Sequence, residues 1–331
     1  MRALVVGAGP AGLLAATALS RQGFAVHLAD PEPGNGARTR PQSAHVHLWP
    51  GSAWQRLKSW LPELEALTGP WPTRATLDDV LWRLCRPQID QVHATRIREL
   101  AFRENSVDAL TDAGWLGFDL VVDASGASRA TLASVAKACG CPVTLHEGPP
   151  SGGYVTLLLA GIDLSGDEAV VAARDAKSGA GAILMGAAGS AARLTLQVPP
   201  GAGVPADLPM ALRFLEAFDD PRLHEVCRAA TLEGTPVRYG NRPHARLALE
   251  EMAGLPGNWI PIGDCLLATP PYLGHGLDQL TEHVELLGSG VEAKLSWAEN
   301  RTRMVLRARE RWWGATWIEA FRSPLANSGG H

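Results

Sequence analysis

The chain has 331 residues, of which 46% are hydrophobic and 19% charged, with a formal net charge of −4 at pH 7. This composition is typical of a globular protein, and the length suffices for two lobes that share a core. The slight acidity disfavours nucleic acid as a partner, and no apolar run of about 18 residues predicts a membrane span.

The first apolar run breaks into glycines and lacks the features of a signal peptide. The five cysteines lack the paired spacing of a zinc site, and free thiols are common in cytosolic enzymes. We therefore expect a cytoplasmic protein without a metal site.

The N-terminal segment predicts a β-turn-α-β unit of about 30 residues. Residues 2–6 form a short β-branched run, residues 11–22 have helical apolar spacing, and residues 24–29 predict a second strand. The pattern is typical of the first unit of a nucleotide-binding lobe.

Gly7, Gly9 and Gly12 form the pattern G-x-G-x-x-G between this strand and helix. The glycines permit a tight turn, close approach of a pyrophosphate and close packing of the helix, whose N-terminus attracts phosphate. Asp30 follows the second strand, where an acidic side chain accepts ribose hydroxyls. The pattern predicts a dinucleotide site and does not separate FAD from NAD.

The remaining pattern predicts further elements in chain order. Residues 31–44 predict a loop. Helices are expected at 52–67, 74–85, 128–138, near 207–229 and at 276–317; strands are expected near Val92 and Val107, at 119–123, among several alternating stretches within 142–250, and at 258–262. The fold class is α/β, or α+β overall: a Rossmann-type lobe of residues 1–140 plus 255–331, with an inserted, mostly antiparallel sheet domain of residues 141–254.

A second glycine-rich segment, IGDCLLATPPYLGHG, covers residues 262–276. Asp264 follows a buried strand, at the sheet edge where ligands bind in open α/β sheets. Gly274 and Gly276 leave backbone uncovered, and a helix beginning at Gly276 would direct its dipole toward an anion or an electron-rich ring. An NAD-dependent dehydrogenase, the simplest alternative, leaves this second segment without a role, whereas a long cofactor such as FAD reaches both segments.

Four stretches together resemble the p-hydroxybenzoate hydroxylase-like family, the single-component FAD-dependent aromatic hydroxylases. In order they are VVGAGPAG, TRATLDDVLWRL, DLVVDASGASR and IGDCLLATPPYLGHG, and the interval from Asp264 to Pro271 matches that family. PQSAHVHL resembles a loop found in one branch. The resemblance implies a Rossmann-type FAD-binding lobe with a substrate-side sheet domain.

The resemblance also implies roles for individual residues. Those expected to contact cofactor are Gly7, Gly9, Gly12 and Asp30 for the ADP half, Arg74 for the phosphates, Asp123 and Gly126 for FAD and the nicotinamide cofactor, Asp264 for the ribityl or pyrophosphate region, and Pro271, Gly274 and Gly276 for the isoalloxazine.

The chain departs from the family at several positions. Ala44 stands where the branch carries Arg, His275 where Gln is frequent, and Cys-Leu-Leu follows Asp264 in place of Ala-Ala-His. The interval between Leu48 and Arg74 is short, which indicates a reduced substrate-side region.

His45, His47 and His275 are candidates for acid/base or hydrogen-bonding roles near the flavin, because imidazole titrates near neutral pH. Tyr272 is a candidate to stack near the flavin or donate to substrate, with core packing as the alternative. Trp312, Trp313 and Trp317 either line an aromatic pocket, form a homodimer face or belong to the core.

The function expected from the resemblance is an FAD-dependent monooxygenase that uses NAD(P)H and O₂ on an aromatic or electron-rich small molecule. One alternative is oxidation of a protein side chain, such as peptidyl tryptophan during quinone-cofactor maturation. A flavin-dependent reductase, a flavin-dependent halogenase and a non-catalytic FAD-binding partner are the others.

Overall fold

The computed structural model of the protein describes residues 1–34, 51–66, 74–150, 152–162, 164, 170–175, 179–186, 191–218, 221–239, 243–269, 275–292 and 295–326. No helix in these ranges is both long and apolar enough to cross a membrane.

The strands are β1 (Arg2–Val6), β2 (Ala25–Asp30), β3 (Gln91–Ala94), β4 (Glu99–Phe102), β5 (Val107–Thr111), β6 (Gly114–Phe118), β7 (Leu120–Asp123), β8 (Leu145–Pro150), β9 (Gly153–Ala160), β10 (Val170–Arg174), β11 (Gly181–Gly186), β12 (Ala191–Val198), β13 (Thr231–Tyr239), β14 (Pro243–Leu247), β15 (Trp259–Pro261) and β16 (Leu267–Ala268). The helices are α1 (Pro10–Arg21), α2 (Gly51–Trp60), α3 (Arg74–Cys85), α4 (Leu132–Cys139), α5 (Leu208–Leu215), α6 (Arg222–Arg228), α7 (His275–Glu292) and α8 (Trp297–Ala326). Short 3₁₀ turns cover Pro62–Ala66, Arg86–Gln88, Gly126–Ser128, Leu249–Glu251 and Gly263–Cys265.

A parallel sheet forms the nucleotide-binding lobe, with strand order β15-β7-β1-β2-β3. β1 lies at its centre and pairs in parallel with β2 and β7, and β15 adds beyond β7. Strands from the N-terminal and C-terminal parts of the chain therefore belong to one sheet, separated by β7. The apolar runs of β1 and β7 are buried, as parallel strands covered on both faces require. The predicted α/β fold class is confirmed.

An antiparallel meander of β4, β5 and β6 connects β3 to β7. The sequence predicts only the middle strand, near Val107. β4 and β6 are short, and neither presents the clear alternation of apolar and polar residues that marks a half-buried strand.

The middle of the chain forms an antiparallel sheet of order β10-β11-β12-β9-β13. One face packs on α5 and α6 through a cluster that includes Leu157, Leu159, Leu194, Leu215 and Leu223. A smaller sheet, β16-β14-β8, leads from this region back to the Gly-Asp segment. The division into domains at residues 141 and 254 stays a prediction.

Three predicted helices differ in their bounds. The helix expected over 52–67 ends at Trp60, before Pro62 begins a separate 3₁₀ turn. The helix expected from residue 128 begins at Leu132, because Arg129 adopts the left-handed conformation (φ 48°) and interrupts helical geometry. The helix expected over 276–317 is two helices, α7 and α8. Ser296 and Glu299 form a capping box that starts α8: the Ser296 N–H donates to Glu299 Oε2 (2.8 Å) and the Glu299 N–H to Ser296 Oγ (3.3 Å).

Candidate functional site

The N-terminal glycine turn leaves no room for side chains at two of its positions. Gly7 has φ +105°, and a Cβ there would lie 2.6 Å from the carbonyl oxygen of Ala124. A Cβ at Gly12 would overlap the carbonyl oxygen of Gly7. These two glycines therefore allow β1, α1 and the turn after β7 to approach one another.

The N-terminus of α1 is suited to an anion. Gly9 is its N-cap residue, no side chain in the described ranges caps it, and no acidic residue lies in its first turn. Pro10 at the start carries no N–H of its own. The remaining first-turn amides and the positive end of the helix dipole are thus available to a phosphate group.

Asp30 lies at the end of β2 and is linked to the glycine turn. Its Oδ2 accepts a hydrogen bond from the Ala8 N–H (2.8 Å), and its Oδ1 accepts one from the Glu32 N–H (2.8 Å). An ionised carboxylate has about four acceptor positions, so it can also accept hydroxyl donors. The ribose contact predicted for Asp30 stays a prediction.

Asp123 is completely buried and accepts hydrogen bonds from its own turn. Oδ1 accepts from the Ser125 N–H (3.0 Å), and Oδ2 accepts from the Thr131 N–H (3.2 Å) and the Thr131 hydroxyl (2.5 Å). The Trp259 indole N–H donates to the same hydroxyl (2.9 Å). Asp123 therefore orders the turn that carries Gly126 (φ +67°), and the cofactor contacts implied for these two residues stay predictions.

Arg129 joins this turn to the Gly-Asp segment. Its Nε donates to the Cys265 carbonyl oxygen (3.1 Å) and its Nη2 to the Ala245 carbonyl oxygen (3.4 Å), while its Nη1 donates to the Ala127 carbonyl oxygen within its own turn (3.4 Å). The left-handed backbone of Arg129 accompanies these contacts. We did not predict this role; the only signal was that Arg129 ends the stretch DLVVDASGASR.

The second glycine turn lies against the first. Gly263 has φ +57°, and a Cβ there would lie 3.2 Å from the Ala11 Cβ, in the first turn of α1. Asp264 is exposed, whereas Cys265 is fully buried. The structure therefore brings the two glycine-rich turns together and places the predicted cofactor ligand Asp264 beside the N-terminus of α1.

α7 supplies two side chains that the sequence did not indicate. The Gly263 N–H donates to His283 Nδ1 (3.0 Å), while Gln279 Nε2 donates to the carbonyl oxygens of Gly263 (3.2 Å) and Leu267 (2.7 Å). Burial, assisted by the positive charge of Arg311, lowers the pKa of His283 to about 3. The imidazole is therefore neutral at physiological pH.

Several predicted residues lie outside the described ranges, and their roles stay predictions: His45, His47, Pro271, Tyr272 and Gly274. Arg74 begins α3 and His275 begins α7, and their side chains are also outside the description. Gly276 lies in the first turn of α7, where a Cβ would be 3.6 Å from Thr269 Oγ1.

Comparison with known proteins agrees with this geometry. Residues 5–58 match the model of the NAD(P)-binding Rossmann-like domain. No curated protein sequence is recognisably similar to the chain. Solved structures are similar over 98% of this chain. A triple mutant of the flavin-dependent brominase Bmp2 has a TM-score of 0.71 at 16% identity over 89% of its length. Klebsiella pneumoniae HpxO complexed with FAD and uric acid has a TM-score of 0.67 at 18% identity over 92% of its length. CtdE in complex with FAD and a substrate has a TM-score of 0.69 at 15% identity over 88% of its length.

The chain shares the fold of these three solved structures. The resemblance stated from the four sequence stretches is thus confirmed at the level of fold.

Within this fold, the departure from the expected Ala-Ala-His after Asp264 has a packing explanation. Cys265, Leu266 and Leu267 are all fully buried, and burial raises the pKa of the Cys265 thiol well above its usual value. These residues act as core, with Asp264 alone directed to the surface. Trp312 is also buried, against the ring of His244 at 4.7 Å, so the core alternative holds for this tryptophan.

Proposed function

We propose that the protein is an FAD-dependent monooxygenase that uses NAD(P)H and O₂ on an aromatic or electron-rich small molecule. The observation that carries this proposal is the contact of Gly263 with Ala11, which unites the two glycine-rich turns. A dehydrogenase that binds NAD alone needs only the first turn, whereas FAD extends from the phosphate-binding helix toward a second segment.

The residues present fit FAD. The uncapped N-terminus of α1 would stabilise the pyrophosphate, Asp30 would accept ribose hydroxyls, and Asp264 would bind the ribityl or pyrophosphate region. When bound, FAD supplies the redox chemistry that activates O₂. The protein's part is to orient the cofactor and the substrate and to exclude water.

The five-stranded antiparallel sheet offers a substrate-side face opposite the one covered by α5 and α6. On this face Arg193 lies between its cross-strand neighbours Leu158 and Met185. Thr156 and Thr195 pair through their hydroxyls at 2.7 Å in the adjacent row. In its described part, this face therefore carries apolar residues, the paired hydroxyls, Arg193 and, beyond Leu158 in the same row, the exposed Glu233.

Arg193 is half-buried, and no carboxylate in the described part of the chain forms an ion pair with it. A guanidinium with apolar cross-strand neighbours favours an anionic ligand, because carboxylates bind it through paired hydrogen bonds. This supports an aromatic substrate that carries an acidic group.

The test is reconstitution with FAD followed by turnover. We expect flavin absorption, FAD release on heating, and NADPH oxidation coupled to O₂ uptake with aromatic acids, giving a product heavier by one oxygen atom. Arg193→Gln should raise KM for the acid about tenfold or more with little change in kcat. Arg238→Gln, on the exposed strand β13, is the matched control.

A halogenase is the second candidate, favoured by the similarity to the brominase structure over 98% of the chain. A halogenated product would support the halogenase, and a product heavier by two hydrogen atoms would support a reductase. Bound FAD without turnover of small molecules would favour a protein substrate or a non-catalytic partner. Failure to bind FAD would overturn the proposal. A cytoplasmic location and a homodimer stay predictions.

A further inference from the structure

Gln279 and His283 form a buried polar pair on α7. They lie one helical turn apart on the same side of the helix, and both side chains are 0% exposed. Three hydrogen bonds join them to main-chain atoms of Gly263 and Leu267, at 3.0, 3.2 and 2.7 Å. The pair therefore contacts both sides of the turn that carries Asp264.

The pair is costly to bury. His283 Nδ1 accepts from the Gly263 N–H, so the proton of the neutral ring is on Nε2. Within the described ranges, neither His283 Nε2 nor Gln279 Oε1 has a hydrogen-bond partner. Apolar side chains would fill this space without unpaired polar atoms. The polar side chains are instead explained by the main-chain groups of Gly263 and Leu267 with which they form hydrogen bonds.

The backbone that the pair holds is unusual. Gly263 adopts a left-handed conformation and approaches Ala11 closely, while the next residue, Asp264, is exposed beside the N-terminus of α1. Small changes in the dihedral angles of Gly263 would move the Asp264 carboxylate relative to that helix.

We propose that Gln279 and His283 are positioning residues that hold the Gly263 turn in the conformation that presents Asp264 to FAD. This inference rests on the proposed FAD site. The pair acts through the backbone of the turn and does not itself touch the cofactor.

The experiment has two readouts, made on the full chain. Hydrogen exchange of the segment 259–269 in the apoprotein reports whether the turn is held. Calorimetric titration of the apoprotein with FAD measures the FAD affinity, and so reports whether the ordered turn contributes to cofactor binding. The variants are His283→Leu, which removes the acceptor, His283→Asn, which keeps an acceptor near the position of Nδ1, and Gln279→Met, which removes both donated bonds at similar volume.

Leu287→Ala is the matched control for general destabilisation. Leu287 is fully buried on the same helix, one turn beyond His283, and its truncation to alanine leaves a cavity but removes no hydrogen bond to the turn. We expect this variant to unfold at a lower temperature while its FAD affinity stays within about twofold of the wild type.

We expect His283→Leu and Gln279→Met to accelerate exchange of the segment and to weaken FAD binding about tenfold, the effect of one net hydrogen bond. His283→Asn should restore both readouts. If His283→Leu does not fold, Gln279→Met decides the outcome. Accelerated exchange with unchanged FAD affinity, or loss of affinity equal to that of Leu287→Ala, would overturn the inference. A wild-type chain that binds no FAD would instead refute the proposed function, whatever the exchange results.

Discussion

The two glycine-rich turns of this protein acquire their shapes in different ways. The N-terminal turn lies directly between β1 and α1. A Cβ at Gly12 would overlap the Gly7 carbonyl oxygen, and a Cβ at Gly7 would clash with the carbonyl oxygen of Ala124, which follows β7. The Gly263 turn is held by side chains distant in sequence, with Gln279 and His283 on α7 and Arg129 after β7. A local fingerprint therefore describes the first turn well and the second incompletely.

The largest effect is expected where the first turn is most crowded. Gly12→Ala introduces a Cβ that overlaps the Gly7 carbonyl oxygen, so β1 and α1 must separate. We expect the free energy of unfolding to fall by about 2–4 kcal/mol and FAD binding to be lost. Urea denaturation and FAD titration measure the two effects.

Gly257→Ala is the control, because a Cβ at Gly257 meets no described atom within 4 Å and its φ is not positive. Equal stability losses in the two variants would show that crowding at Gly12 does not determine the geometry of the first turn.

The second turn should depend on pH through His283. Its pKa is about 3 in the folded protein and about 6.5 when unfolded, so between these values the unfolded chain binds a proton that the folded chain does not. The contribution of neutral His283 to the free energy of unfolding is fully present above the unfolded pKa and is lost as the pH falls toward the folded pKa. The loss between pH 7 and pH 5 should be about 2 kcal/mol.

His283→Asn removes this titratable group. Because the carboxylates are the same in both proteins, the difference between their stabilities at each pH reports the titration of His283 alone. Urea denaturation at a series of pH values gives the two slopes. Parallel slopes would contradict a buried, neutral His283.

Arg129 connects the turn after β7 to the Gly263 turn, and its backbone and side chain have opposite effects on stability. Arg129→Ala loses three side-chain hydrogen bonds but keeps a left-handed residue, and we expect the free energy of unfolding to fall by about 2 kcal/mol. Arg129→Gly loses the same bonds and relieves the backbone penalty, so it should be more stable than the alanine variant by about 1 kcal/mol. Thermal unfolding of both variants measures the difference, and an alanine variant at least as stable as the glycine variant would refute it.

The smallest effect is expected at Gly263 itself. Gly263→Ala places a Cβ near Ala11 and forces a left-handed alanine, at a cost of about 1 kcal/mol in the free energy of unfolding. Gly263→Asn should retain more stability, because asparagine enters this conformation more readily. An alanine variant that binds FAD as tightly as the wild type would show that the left-handed turn is not required for the site.

Much of the nucleotide-binding lobe was predictable. The strand, turn and helix at the N-terminus, the acid at Asp30 and the Gly-Asp segment were recognisable from residue spacing, since glycines and charges at strand ends have few local alternatives. The meander strands β4 and β6 were not, because their short, mixed sequences acquire strand geometry only by pairing with β5. Arg129, Gln279 and His283 were missed because ordinary surface or core residues have the same local pattern.

By itself the sequence determined the fold class and the existence of two glycine-rich segments, because the apolar periodicity of strands and helices and the glycines between them are local patterns. Only the tertiary structure decided that Gly263 meets Ala11, that Asp123 faces inward to Thr131, and that a neutral His283 supports the second turn. These contacts join residues far apart in the chain. Their energies come from burial and hydrogen bonding between elements, which local spacing does not encode.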